Sequence, residues 1–186
     1  MFNGAVRRDL REDLIAAAVR MLAEPQAVAV PSLRAIARAC GVAPSAVYWH
    51  FPSEAELRSA VLDAQYDDMV TSIEDALDAA GGDPLIVAGK AYIDWGLAHP
   101  GAYQLLFESD DAIPETRAPY GPRLQQRIVS LAAAVPGVDP FPAALLLWSA
   151  WHGIVSLRLH KREWAWGLTT DEANELVVRG LSAPRG

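Results

Sequence analysis

Ser32-Leu33-Arg34-Ala35-Ile36-Ala37-Arg38-Ala39-Cys40-Gly41-Val42-Ala43-Pro44-Ser45-Ala46-Val47-Tyr48-Trp49-His50-Phe51 is the stretch on which the fold turns. Ser32 is placed to cap a short helix carrying Leu33, Ile36, Ala37 and Cys40 inward, since a serine oxygen can accept from a first-turn N–H that has no intrahelical partner. Gly41 ends that helix. A second short helix starts near Pro44, whose missing N–H is harmless in a first turn, and runs to about His50. Two helices crossing over a tight turn need a small residue at the crossing and favour Gly in the turn, and Ala37 and Gly41 meet both demands. Ile36, Cys40, Val42 and Val47 then fix the second helix against the first and leave its other face free, the geometry by which a helix-turn-helix enters a DNA major groove. Ordinary helix pairs can share this spacing, so the flanking segments must decide.

Upstream, Leu10, Leu14, Ile15, Ala18, Met21 and Leu22 recur at three- and four-residue steps, predicting an amphipathic helix from Asp9 to about Glu24. Pro25 and Pro31 bracket the loop that follows. Downstream, Ser53 and Glu56 form an S-x-x-E capping box, and Leu57, Val61, Leu62 and Tyr66 carry the helix onward past Met69. Beyond Gly81-Gly82, helical patterns run over 84–98, 101–108, about 123–135, 142–159 and 171–181. No strand alternation, internal repeat, low-complexity tract or heptad pattern accompanies them. The expected fold is all-α, with an N-terminal three-helix helix-turn-helix domain over 1–56 and a second helical domain over 57–186.

The 186 residues are 52% apolar and 21% charged, enough apolar material for a substantial core. Cys40 is the only cysteine, so no intrachain disulfide forms. The first residues lack the apolar run of a signal peptide. Ala143 to Leu157 is interrupted by Ser149 and His152 and is shorter than the roughly 20 residues a bilayer crossing needs, so it reads as a buried helix. A cytoplasmic location and no membrane partner follow as expectations. Net charge is −7, but residues 1 to 58 carry seven Arg against six acids, while the rest carries nine basic and seventeen acidic residues. The two ends of the chain are therefore expected to face different partners.

His50, His99, His152 and His160 include no pair at helical spacing, which argues against a metal site. No G-x-S-x-G, P-loop or dinucleotide fingerprint occurs, and Cys40 sits inside the motif turn. Asp67-Asp68 and Asp110-Asp111 read as solvated charges. The expectation is a protein that is not an enzyme and takes neither metal nor cofactor.

The segment from Ser32 to Phe51, with Ser53-x-x-x-Leu57 after it, resembles the motif of the TetR family of bacterial repressors. That resemblance implies that Tyr48 and His50 contact phosphates, that Ser45, Ala46 and Trp49 look toward base edges, and that Arg34 is a further backbone or base contact. Tyr48 and Trp49 are also candidates for core aromatics, because one of two adjacent helical residues usually faces inward. The chain departs from the family at two points: Ala43 stands where a capping Ser or Thr is common, and Glu54 where Lys is frequent. Arg7, Arg8 and Arg11 are positioned to compensate.

Ala150-Trp151-His152-Gly153-Ile154-Val155-Ser156-Leu157 and His99-Pro100-Gly101-x-Tyr103-x-Leu105-x-Phe107 are similar to one class of the family's C-terminal domains. The resemblance implies a ligand-binding and dimerisation body, with a homodimer formed by the last two long helices and Gly153 permitting close helix approach. Trp95, Tyr103, Phe107, Trp148, Trp151 and His152 are candidate ligand contacts, although Trp148 and Trp151 read first as core or dimer interface. Implied partners are double-stranded operator DNA, a second copy of the chain and a small-molecule effector. A helical small-molecule-binding protein without DNA binding is the alternative.

Overall fold

The computed structural model describes residues 9–22, 30–108 and 120–182. Among them there are nine helices and no strand: α1 (Leu10–Leu22), α2 (Leu33–Cys40), α3 (Pro44–His50), α4 (Glu54–Ala79), α5 (Pro84–Ala98), α6 (Pro100–Phe107), α7 (Tyr120–Ala132), α8 (Pro140–His160) and α9 (Thr170–Ser182). The expected all-α architecture is present, and Arg7, Arg8, Glu24, Pro25, Asp110 and Asp111 lie outside the described residues. The chain forms two compact units, Met1–Gln65 with Gly101–Ala112, and Tyr66–Pro100 with Ile113–Gly186. This line of packing runs through α4, beyond the division expected from the sequence at residue 56.

In the first unit α1, α2 and α3 pack on one another. Leu14, Ala17, Ala18 and Leu22 of α1, Leu33, Ile36 and Ala37 of α2, and Val47 of α3 are buried, so each helix contributes one apolar face. Ser32 Oγ accepts from the Ala35 N–H at 3.3 Å. The other end of α2 closes on Gly41 at φ 68°, where the Val42 N–H bonds the Ala37 carbonyl at 3.0 Å and the Gly41 N–H bonds the Arg38 carbonyl at 3.2 Å. This paired pattern satisfies two end carbonyls and needs a left-handed residue. A Cβ at Gly41 would meet nothing within 4 Å, so its cost is purely conformational. Gly41→Ala is expected to lower stability by about 1 kcal/mol, read as a fall of about 2–4 °C in thermal midpoint. Cys40 serves a different contact from the expected one: its thiol reaches the Asp13 carbonyl of α1 at 3.7 Å.

In the second unit α5 packs against α7, α8 and α9. Two Asp-Pro dipeptides start its longest helices: Asp83 accepts from the Leu85 N–H at 2.9 Å and Asp139 from the Phe141 N–H at 3.3 Å, each followed by Pro in the first turn. α8 therefore begins at Pro140, two residues before the sequence-based expectation. Thr169 and Glu172 cap α9 reciprocally, and the hydrogen bonds from Thr169 hold the Glu172 carboxyl below its ordinary range.

At the centre lies a buried polar contact. Trp151 Nε1 donates to Asn174 Oδ1 at 2.8 Å, Asn174 Nδ2 donates to the Ile86 carbonyl at 2.8 Å, and both side chains are 1% exposed. Only glycine fits at position 89 beside them, since a Cβ there would lie 2.2 Å from Asn174 Oδ1. Close helix approach thus occurs at Gly89. At Gly153, where close approach between dimer helices was expected, a Cβ meets nothing within 4 Å of its own chain, which leaves that face open to a second copy. α7 is tied to α4 by the buried Tyr66 hydroxyl accepting from the Leu124 N–H at 2.9 Å, by an Arg123–Asp67 pair and by an Arg127–Glu74 pair at 2.8 Å. Burial pushes the Tyr66 phenol up, so it stays neutral. Asp67 and Asp68 are exposed helix charges, as expected, and each also has a partner: Asp67 pairs with Arg123, and Asp68 accepts from the Trp95 indole N–H at 2.7 Å.

α8 is not the buried helix its apolarity implied. By length and composition it is apolar enough to cross a membrane, with mean hydropathy 1.2 over an 18-residue window, yet only 28% of that window is buried. Ala143, Ala144, Leu147, Trp151 and Val155 face the core, while Phe141, Leu145, Leu146 and Leu157 are exposed.

Candidate nucleic-acid interface

With seven residues, α3 is too short to be stable as an isolated helix and must be held by its neighbours. Ala43 precedes it without a side-chain cap, and Pro44 pre-sets the first turn. The hold comes from Val47, fully buried, and from Phe51 just past the helix end, whose ring lies 5.1 Å beneath the Arg11 guanidinium. Each helical residue advances about 100°, so with Val47 inward, Ser45 and Trp49 lie on the opposite face and Tyr48 at its edge. All three are exposed, Tyr48 by 48% and Trp49 by 87%. Neither aromatic belongs to the core, although one of two neighbours was expected to turn inward; Val47 takes that place. Ala46 and His50 flank the face and are half-buried.

Arg34 is exposed on α2, and Arg38 lies one turn further on the same face, also exposed. Among the described residues neither forms an ion pair, so both charges are available to an anion. Sequence reasoning passed over Arg38, although its four-residue spacing from Arg34 places them together. Glu54 is exposed as the first residue of α4, where Ser53 Oγ accepts from the Glu56 N–H at 3.2 Å. Exposed on α2 and α3 are thus two guanidinium groups without an ion pair among the described residues, two hydroxyls and an indole, groups suited to phosphates and base edges.

The six candidate ligand residues fall into two groups. Tyr103, fully buried, and Phe107 lie 4.9 Å apart in the first unit. Trp95, Trp148, Trp151 and His152 belong to the second. There Trp95 stacks on His99 at 4.7 Å, Trp148 Nε1 donates to the Tyr92 hydroxyl at 3.3 Å, and Trp151 is bound to Asn174 in the core. Trp148 and His152 are half-buried. A cleft of about 500 Å³ lies elsewhere, at the connection between α8 and α9, and none of the six lines it.

Residues 14–61 match the family model described as bacterial regulatory proteins, tetR family, and residues 85–181, more than half of the chain, match that described as tetracyclin repressor-like, C-terminal domain. An HTH-type transcriptional regulator of Mycobacterium tuberculosis strain H37Rv, Rv1816, is 34% identical over 121 residues, which are 61% of this chain and 50% of the relative. The chain thus spans about half the length of that relative. Among solved structures, the regulatory protein SCO4313 matches with a TM-score of 0.75 at 24% identity, over 94% of this chain and 96% of that one. BioQ, solved with its double-stranded DNA operator, matches with a TM-score of 0.61 at 23% identity, over 94% and 99%. At such identities the two structures speak for the fold.

Proposed function

We infer that this chain, which belongs to the tetR family of bacterial regulatory proteins, is a cytoplasmic homodimeric repressor that holds operator DNA through α3 and releases it when a small molecule enters its helical body. The observation that carries the reading is α3 itself: Val47 is fully buried while Ser45, Tyr48 and Trp49 face solvent in the segment matched by the model of bacterial regulatory proteins, tetR family. A helix built only for packing would not leave a tryptophan 87% exposed. Tyr48 and His50 bond phosphates, Ser45, Ala46 and Trp49 meet base edges, and Arg34 adds a backbone contact. DNA and effector fall to residues 1–56 and 57–186 respectively.

The test is a mobility shift on the DNA upstream of the chain's own gene. Wild type is expected to shift it specifically, and Tyr48→Ala and His50→Ala each to weaken binding about tenfold, since hydrogen bonds to charged groups contribute about 1.5–3 kcal/mol. The loss should be similar across operator variants, because phosphates carry no sequence. No specific shift by wild type would favour the small-molecule-binding protein without DNA binding, and unchanged affinity of both variants would refute the assigned contacts.

A twofold dimer through α8 and α9 would set two reading helices about 34 Å apart. Support comes from the exposed Leu145, Leu146 and Leu157 of α8 and Leu176 of α9, an apolar area that a partner copy would remove from water. Leu146, 63% exposed, costs the isolated chain nothing when replaced. Leu146→Glu is expected to convert dimer to monomer by light scattering, with helicity unchanged; a persistent dimer would move the interface elsewhere. For the effector, Trp95, Tyr103, Phe107, Trp148, Trp151 and His152 remain the proposed contacts. Phe107, Trp148 and His152 are the accessible ones, whereas Trp151 already spends its N–H on Asn174.

A further inference from the structure

Residues 161 to 169, which connect α8 to α9, are held by side chains rather than left loose. Arg158 Nη2 donates to the Leu168 carbonyl at 2.6 Å while its guanidinium lies 4.7 Å from the Trp166 ring centre. Trp166 Nε1 donates to the Lys161 carbonyl at 3.3 Å, and Trp164 stands edge-on to Trp166 at 5.3 Å. This scaffold shapes the open cleft of about 500 Å³ lined by His160, Lys161, Arg162, Glu163 and Trp164, a volume within the range of small-molecule sites.

Charge sets the cleft apart. Elsewhere in the second unit Lys90, Arg123, Arg127 and Arg179 are each paired with a carboxylate. Among the described residues Lys161 and Arg162 pair with none, although the chain beyond residue 58 has an excess of acids. Among the described residues Arg162 bonds from Nε to the Leu159 carbonyl at 3.3 Å, a contact that does not use its terminal nitrogens. Beside these two cations Trp164 is 63% exposed. An unneutralised cation pair next to a solvated indole is poorly accounted for by packing, and it has the elements that recognise a flat anion: a ring face for stacking and donors for a carboxylate. Glu163 in the same lining disfavours a dianion.

We propose that the cleft at the α8–α9 connection binds a small aromatic monocarboxylate, its ring on Trp164 and its carboxylate on Lys161 and Arg162. The site is separate from the effector contacts proposed above and does not depend on DNA binding. The full-length protein is titrated with sodium 2-naphthoate by calorimetry, with the indole N–H resonances followed by NMR and Trp164 assigned through Trp164→Phe. Saturable binding at one site per chain with a shifted Trp164 resonance is expected. The neutral isostere 2-naphthamide, and the variant Lys161→Ala/Arg162→Ala titrated with naphthoate, should each bind at least about tenfold more weakly, with the circular dichroism of the variant unchanged. The proposal is overturned if no saturable binding occurs, if the amide binds equally well, or if the double variant keeps full affinity, which would place naphthoate elsewhere in the body.

Discussion

Gly89→Ala is expected to destabilise the protein by about 3 kcal/mol or more, lowering the thermal midpoint by roughly 6–12 °C. The added Cβ would lie 2.2 Å from Asn174 Oδ1 and 2.5 Å from Trp151 Nε1, the acceptor and donor of one 2.8 Å hydrogen bond. Both side chains are 1% exposed, so neither can swing into solvent. Either their bond breaks and leaves two buried polar atoms unsatisfied, at about 1–3 kcal/mol each, or α5 backs away from α8 and α9 and loses close packing. Trp151→Phe removes the indole nitrogen from the clash, so the two substitutions together should cost less than the sum of their separate effects. Gly153→Ala is the control, because its Cβ meets nothing within the chain and alanine is the better helix former by about 1 kcal/mol. A Gly89→Ala protein that melts with wild type would show that the three helices do not meet as described.

Val47→Asp should abolish operator binding while sparing the second unit. Val47 is fully buried and is the sole buried residue of α3, so a carboxylate there would be taken out of water. An uncompensated buried charge costs about 3–5 kcal/mol, and α3 lacks a side-chain cap with which to resist it. The cheapest response is for α3 to leave its neighbours. Rebuilding it on DNA would draw about 3 kcal/mol from the binding energy, more than a hundredfold in affinity. Hydrogen exchange should show lost protection at residues 44 to 51 with α5 and α8 still protected. Retained protection at α3, or operator affinity within tenfold of wild type, would contradict this account.

What could be read from the sequence was local. Ser32, Gly41, Pro44 and Ser53 act within a few residues of themselves, so the helix-turn-helix and the start of α4 were legible to within a residue or two. The Asp139-Pro140 start of α8 and the Thr169–Glu172 cap were equally local, and the latter repeats the signal recognised at Ser53–Glu56, yet they were passed over. The role of Gly89 was out of reach, because it depends on two side chains far along the chain that converge only in the fold. The half-exposed state of α8 was illegible for another reason: apolar residues look alike in a core and on a face a partner would cover. At the candidate site the residue types on α3 were visible, but the outward turn of Tyr48 and Trp49 depends on how α3 packs, with Val47 as its one buried residue.

The first compact unit is discontinuous, made of Met1–Gln65 and the returning segment Gly101–Ala112. The backbone therefore passes between the units three times, which limits how the protein can be recombined. A fragment ending inside α4 would omit part of its own unit, and a chimera that grafts only the N-terminal residues onto another body would inherit a foreign returning segment. Exchanging reading specificity between relatives should work best when Gly101–Ala112 travels with the N-terminal part, which makes co-inheritance of two separated stretches, rather than a single splice point, the unit of modular exchange.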